Sequence, residues 1–486
     1  MSLNPLYWFT KRYSMLIRSP ETSLTEQLVA RFAQRIHDRL LPPGARLPSV
    51  RQCAQSQGVS PSTVVAAYDQ LQAQGLVEAR RNRGFFVRDH QPAPATGAGA
   101  NPVSESRTPR LGRAPLNASA LIRGMFHGFG DKPQPGMGVL PPEWLDSSFM
   151  PAALRRVSAS GNLRTLSLQY GEPAGDSGLR RALSHKLANW HVHAAPEQII
   201  TTLGATQALD IASRTLLRPG DAVMVEEPGW AIEFARLQGL GMRVLPVPRL
   251  ADGPDLAVMA RYCEAHQPKL FVSVSVLHNP TGLSLSPAAA HRVLQLAQQH
   301  DFHVLEDDTY GHFAPDHATR LCALDGLQRT IYVGGFAKIL APNWRIGFLA
   351  APTHLVERLQ DTKLLSSLTT PALLEQALAV CIEQGQLRRH AERIRARLAQ
   401  ARARSVKQVL AAGCRLAAEP AGLFGWVDTG VDTDALTQGL LDEGYLLAPG
   451  SLFHAERRAS TLMRINFATT QDAAFWQVFS NLRLTL

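Results

Sequence analysis

Residues 91–115 read QPAPATGAGANPVSESRTPRLGRAP. Pro, Ala, Gly and Ser dominate this stretch, and no apolar residue recurs at a helix or strand period. Such a segment cannot bury enough apolar surface to offset the entropy of ordering it. It therefore reads as a linker, flexible with semi-stiff Pro stretches. A chain of 486 residues already exceeds one ordinary core. The linker divides it into a tail (1–20), a head (21–89), the linker itself (90–125) and a body (126–486). The tail shows no pattern and is expected to be poorly ordered, with Met15 as a second possible start.

Charge separates head from body. Residues 1–90 hold 12 Lys/Arg against 6 Asp/Glu, whereas the rest of the chain holds 38 against 34. A small basic unit on a nearly neutral body suggests a head that binds a polyanion. On charge alone, a basic solvated face reads equally well. No stretch approaches the roughly 18 uninterrupted apolar residues of a membrane span, and Lys11 and Arg12 follow an aromatic patch, the reverse of a signal peptide. No membrane partner is expected. The scattered Cys53, Cys263, Cys322, Cys381 and Cys414 form no C-x-x-C. They read as reduced thiols of a cytoplasmic protein rather than a disulfide or zinc framework.

In the head, Ser23-x-x-Glu26 is a capping box, and Leu24, Leu28, Phe32, Ile36 and Leu40 mark one helix face. Pro42-Pro43-Gly44 ends that helix. Ser49-x-x-Gln52 caps a second helix that stops near Gly58. Ser60-Pro61 opens a third, buried through Val64, Tyr68 and Leu71 and closed by Gly75. Two short strands follow, Leu76–Arg80 and Gly84–Arg88. Three helices and a hairpin make a winged helix-turn-helix. Ser60, Ser62 and Thr63 at the start of the third helix suit phosphates or base edges. Arg46 and Arg51 flank the second helix, and Arg80, Arg81 and Arg83 sit on the wing. The alternative is a helical protein-interaction module; the basic wing favours double-stranded DNA.

The stretch PPGARLPSVRQCAQSQGVSPSTVVAAYDQLQAQGLVEARRNRGFFV resembles the GntR-type winged helix over its whole length. The resemblance implies DNA contacts at Arg51, Ser60, Ser62, Arg80 and Arg81, with Arg46, Ser49 and Thr63 on the same surface. Many relatives carry Arg where this chain has Pro61, so the operator sequence does not carry over.

From about residue 160 the chain alternates short β-branched runs (IITTL, AVMVE, LFVSVSV, HVLE, TIYVG) with helical stretches. That pattern predicts an α/β body with a mostly parallel sheet, whose ligands sit at the carboxyl ends of strands. The groups just past those ends are Gly204-Ala205-Thr206, Trp230, Asn279, Asp307-Asp308-Thr309-Tyr310 and Lys338, with Arg345 seven residues on and Arg464 in the strand LMRINFA. Singly each has a dull explanation: a surface lysine, helix caps, a core tryptophan, a structural ion pair. Together they fit pyridoxal 5′-phosphate. A lysine condenses with its aldehyde. A carboxylate keeps the pyridine nitrogen protonated. A phenol and an amide hold the ring hydroxyl, an aromatic side chain stacks, and amides with an arginine grip the phosphate. His191/His193 and His312/His317 do not combine into a ligand set, so no metal is expected.

The motifs YGEPAGDSGLR, HNPTG, EDDTYGHF, GGFAKILAPNWRIGF and LMRINFA make residues of about 160–470 similar to the fold-type I, aspartate-aminotransferase-like family. The resemblance implies a large domain over about 165–370 and a small domain from the flanking segments. It implies that Lys338 holds the cofactor covalently and that Asp307 faces the pyridine nitrogen. Asn279 and Tyr310 would meet the ring oxygen, and Trp230 would stack. Gly204, Ala205, Thr206 and Arg345 would grip the phosphate. Tyr170 would reach a phosphate in a neighbouring subunit, hence a homodimer, and Arg464 would bind an α-carboxylate. Relatives commonly have Ser or Thr where Gly335 stands, so one hydrogen bond to the phosphate is missing. A GntR-like head, a linker and this body in that order resemble the MocR family of bacterial regulators. The expected function is a transcription regulator responsive to pyridoxal phosphate and/or a small amino compound. The alternative is an active aminotransferase carrying a DNA-binding head.

Overall fold

The computed structural model describes residues 23–37, 41, 43–80, 83–88, 132–145, 149–159 and 168–486. The expected tail, Leu40, Arg81 and the whole of the expected linker lie outside them. Two compact units divide the chain. One joins the head to residues 431–448 and 478–486; the other holds 135–430 and 449–477.

The head follows its capping signals. Helix α1 (Leu24–His37) starts at Ser23, whose Oγ accepts the Glu26 amide at 3.1 Å while Glu26 accepts the Ser23 amide at 2.8 Å. Helix α2 (Val50–Gln57) has the same reciprocal box between Ser49 and Gln52 and stops at Gly58, whose φ of 64° needs no Cβ. Helix α3 (Pro61–Ala73) is capped by Ser60 Oγ on the Thr63 amide. Strands β1 (Val77–Arg80) and β2 (Gly84–Val87) pair antiparallel, with Val77 opposite Val87. Leu28, Phe32, Cys53, Val64, Tyr68 and Leu71 form the core, and the Tyr68 hydroxyl donates to the Pro48 carbonyl. Each apolar period thus faces inward and leaves the N-terminus of α3 exposed.

In the second unit, helix α4 (Ser177–Ala188) leads into β3 (Ile199–Thr202) and α5 (Ala205–Leu216). Strands β4 (Ala222–Glu227), β5 (Arg243–Pro248), β6 (Leu270–Ser273), β7 (His303–Asp307), β8 (Thr330–Gly335) and β9 (Gly347–Ala350) complete a seven-stranded sheet. Its order is β3-β9-β8-β7-β6-β4-β5. All contacts among β4 to β8 are parallel; β9 runs antiparallel to both β8 and β3. The central strands are buried from end to end, as strands covered on both faces must be. One face packs α5 with the helix 353–367, the other packs the helices 256–266 and 287–299. Helices α6 (Ala372–Glu383) and α7 (Gln386–Ala411) follow. The arginine-rich α7 buries Leu387, Ala391, Ile394, Leu398 and Ala401 on one side and leaves most of its arginines solvated. Strand β10 (Phe424–Asp428) pairs antiparallel with β11 (Leu462–Asn466), setting Trp426 opposite Arg464.

Helix α8 (Thr433–Asp442) belongs to the first unit, whereas the sequence reading kept all of 126–486 as one body. Arg35 of α1 donates to the Leu441 carbonyl at 2.7 Å and pairs with Asp442 at 3.2 Å. A cation there meets the negative end of the α8 dipole. Among the described residues no helix is long and apolar enough to cross a membrane.

Candidate cofactor site and nucleic-acid interface

The chemistry gathers beyond the carboxyl ends of the parallel strands. Past β3, Gly204 (φ 85°) begins α5 without a side-chain cap. The Ala205 and Thr206 amides lie in the first turn, where no intrahelical acceptor exists. A Cβ at Gly204 would lie 2.7 Å from the Arg345 guanidinium, and one at Gly347 would strike the Gly204 backbone at 2.4 Å. Only glycine lets backbone and arginine close in this way. Arg345 donates to the Leu203 carbonyl and remains exposed. Amides, a helix N-terminus and a guanidinium therefore face one spot, which suits a phosphate.

Alternation along β7 sorts three consecutive carboxylates. Glu306 points away and accepts the Leu321 and Cys322 amides, both at 2.8 Å. Asp308 points the same way into a buried pair with Arg320 at 2.7 Å and accepts the Tyr332 hydroxyl. Asp307 faces the pocket. Its Oδ1 accepts both the amide and the hydroxyl of Thr309. Burial pushes its carboxyl up to about 6, against the lowering pull of the Thr309 hydrogen bonds. Trp230, Asn279, Asp307 and Tyr310 line one cavity. Asn279 donates to the Tyr310 hydroxyl at 3.3 Å and accepts from Arg464 at 2.9 Å. Burial drives the Tyr310 phenol above its usual range.

Lys338, buried past β8, stands with Nζ 5.7 Å from the Trp230 ring centre. Burial, then Arg464, pull its ammonium down to about 8; Asp307 opposes and Arg345 assists. Arg464, buried between Phe424 and Phe453, is lowered to about 10 by burial, and its Nε has no hydrogen bond. A buried guanidinium with an unspent donor fits an incoming carboxylate.

No motif announced the strap over these two cations. Lys338 Nζ donates to the Gly138 carbonyl at 2.8 Å, and Arg464 Nη2 donates to the Gly136 carbonyl at 2.5 Å. Asn466 Nδ2 secures the same strap through the Met137 and Val139 carbonyls. A layer beneath the pocket was also missed: Glu226 pairs with the buried Arg249 and lies 3.7 Å from His278. Its contacts join residues far apart in sequence. Thr309 was missed as well, although an Asp with a hydroxyl residue two positions on is an Asx-turn signal that marks it. Tyr170 is 82% exposed and stays outside this pocket.

On the head, Arg46, Ser49, Arg51, Ser60, Ser62, Arg80 and Arg83 are exposed, and Thr63 is half-buried. The hydroxyls of Ser60, Ser62 and Thr63 are linked at 2.7 and 2.8 Å, one compact cluster at a helix N-terminus. Arg80 lies over the Phe86 ring and pairs with Glu78 at 2.7 Å, which fixes its guanidinium on the wing. Among the described residues no group of His, Cys, Asp and Glu is arranged to hold a metal ion.

Residues 149–479 match the aminotransferase class I and II family, and residues 24–87 match the bacterial regulatory proteins of the gntR family. Over 390 residues the chain is 30% identical to the probable rhizopine catabolism regulatory protein MocR of Rhizobium meliloti, covering 78% of this chain and 76% of that one. The chain belongs to the MocR family. Another relative is the uncharacterized HTH-type transcriptional regulator YisV of Bacillus subtilis, 27% identical over 446 residues, or 88% of this chain and 89% of that protein. The fold is that of kynurenine aminotransferase from Pyrococcus horikoshii, a structure solved in complex with PMP: TM-score 0.68 at 24% identity, covering 75% of this chain and 93% of that one. This MocR-type chain is therefore a GntR-type DNA-binding head fused to an aminotransferase-like domain.

Proposed function

We propose that this chain regulates transcription by holding double-stranded DNA with its head while its body takes up pyridoxal 5′-phosphate and a small amino compound. The convergence of Lys338, Asp307, Asn279, Tyr310 and Trp230 beside the Gly204 cradle carries this reading. When bound, the cofactor supplies an electrophilic aldehyde and a ring that draws electron density from an attached amine. Lys338 provides the amine for that aldehyde. Asp307 holds a proton at the ring nitrogen, Asn279 and Tyr310 orient the ring oxygen, and the cradle with Arg345 fixes the phosphate. Arg464 receives a carboxylate.

The strap links occupancy to the head. An aldehyde captured by Lys338 would consume the amine protons that the Gly138 carbonyl accepts, whereas Arg464 could take a carboxylate on its free Nε with the Gly136 carbonyl still held. A ligand captured at Lys338 would thus loosen the strap at Gly138, and the strap lies a short way beyond the linker in sequence. A ligand shifts the head only by its difference in affinity for the two strap positions. A homodimer would read two half-sites. Exposed Leu168, Tyr170, Leu365 and Leu368 support it as an apolar surface for a second copy. The five buried thiols fit a reducing cytoplasm.

The test combines two measurements. The purified protein should show a visible cofactor band that Lys338→Ala lacks after dialysis, and the cofactor and an amino compound should change its affinity for its own upstream DNA. A band retained by Lys338→Ala sinks the lysine assignment; DNA affinity indifferent to the cofactor sinks the sensing. The same Lys338, Asp307 and Arg464 favour a second reading, a working aminotransferase. A single-turnover mixture that never loses the band with any amino acid rejects it.

A further inference from the structure

Away from the cofactor pocket, the second unit carries a half-open cleft of about 680 Å³ where α4 meets the end of α6 and the start of α7. Trp190 forms one wall and is 7% exposed. Lys186, one helical turn earlier on α4, stands with Nζ 3.3 Å from the indole centre. Arg320 lies over the same ring at 4.4 Å, and the indole N–H donates to Asp316 at 3.1 Å. The tryptophan is thus fixed from its edge and its face. Among the described residues no oxygen accepts a hydrogen bond from Lys186 Nζ. Its three donors open onto the cleft, in contrast to those of Lys338, which is buried against the Gly138 carbonyl.

The surrounding charges select the ligand. Arg388 and Arg395 of α7 line the cleft with Lys186. Asp316 is engaged by Trp190 and lies 3.7 Å from Arg395, which leaves the exposed Glu383 as the acid on the rim. Ala182 and Leu387 supply apolar wall beside the indole. An ammonium with free donors over an aromatic plate, next to apolar wall, is complementary to an anionic group carried on an apolar body.

We infer that this cleft is a second ligand site, for a small organic anion whose carboxylate or phosphate meets Lys186 and Arg395 while its aromatic or aliphatic body lies along the apolar wall beside Trp190. The site shares no residue with the cofactor pocket and goes beyond the function proposed above. Its pH response follows from its neighbours. Burial pulls the Lys186 ammonium down to about 7; Asp308 and Asp316 oppose this, while Arg320 and Arg395 add to it. His312, edge-on to Trp190, is held neutral by burial, and His185 stands at the rim. An arriving anion restores the ammonium, so binding takes up a proton near neutrality and weakens as pH rises above about 7.

Calorimetry on the full-length, cofactor-loaded chain tests this, with benzoate, phenyl phosphate and inorganic phosphate as probes in two buffers of different ionisation heat. Benzoate or phenyl phosphate should bind with proton uptake, the tighter of the two naming the head group, and inorganic phosphate about tenfold more weakly. Lys186→Gln should weaken binding about tenfold and abolish the proton uptake, with the visible cofactor band unchanged. Arg464→Gln, which removes the carboxylate site of the cofactor pocket, should leave this binding intact. A measurement free of variants runs beside it: an amine-acylating reagent at neutral pH should label Lys186 ahead of exposed lysines, and benzoate should protect it. The inference is overturned if no probe binds, if inorganic phosphate binds as tightly as phenyl phosphate, if Lys186→Gln binds like the parent, or if Arg464→Gln alone removes the binding.

Discussion

Burial brings the Lys338 amine to about 8, from an ordinary 10.5. Only the neutral amine attacks an aldehyde. Uptake of pyridoxal phosphate by the apoprotein should therefore accelerate with pH up to about 8 and level off beyond it, followed as growth of the visible band. A rate still climbing toward the ordinary lysine range would mean that the amine is not desolvated. The neighbouring carboxylates differ in what they tolerate. Asp308 is fully enclosed with Arg320, and its Oδ1 has no hydrogen bond. Arg320→Met would strand that charge and should cost about 3–5 kcal/mol, read as a lower urea midpoint. The run EDDTY shows that β7 must send Asp307 to the side opposite Glu306 and Asp308, because strand side chains alternate. It does not show which side holds the pocket, since that depends on Arg320, Tyr332 and the helix 321–325 arriving behind.

At the scale of elements, the turn from β3 into α5 is the most exacting joint. Gly204 combines a left-handed backbone with an approach to Arg345 that a methyl would block. Gly204→Ala should destabilise the body by about 1–2 kcal/mol and weaken cofactor retention more than tenfold, measured by equilibrium dialysis against the visible band. A variant that retains cofactor like the parent would mean that the phosphate lies elsewhere. This joint, the two capping boxes of the head and the turn at Gly58 were legible because each is local: a cap and its partner lie within four residues. The strap was not legible. Lys338 meets Gly138 across 200 positions, and Arg464 meets Gly136 across 328. Carbonyl acceptors leave no residue-type signal. The link from Arg35 to α8 was missed for the same reason, since it reaches a carbonyl 406 positions away.

The whole molecule joins a reader of polyanions to a body of nearly balanced charge, and this division can be measured. Arg51→Ala should weaken DNA binding on every sequence if Arg51 neutralises a phosphate, and should reduce the salt slope by about one. The cofactor band should not change. A variant that loses affinity for one operator alone would instead place Arg51 on a base edge. The cradle has a consequence at this scale through Gly335, the last residue of β8. A Cβ there would lie 3.4 Å from the Ala205 amide nitrogen, so the position borders the phosphate-holding turn without offering a hydroxyl. One charge-assisted hydrogen bond fewer amounts to about 1.5–3 kcal/mol. On the function proposed above, a body that grips its vitamin this much more loosely would fill and empty as the supply rises and falls, its occupancy a gauge rather than a permanent fitting.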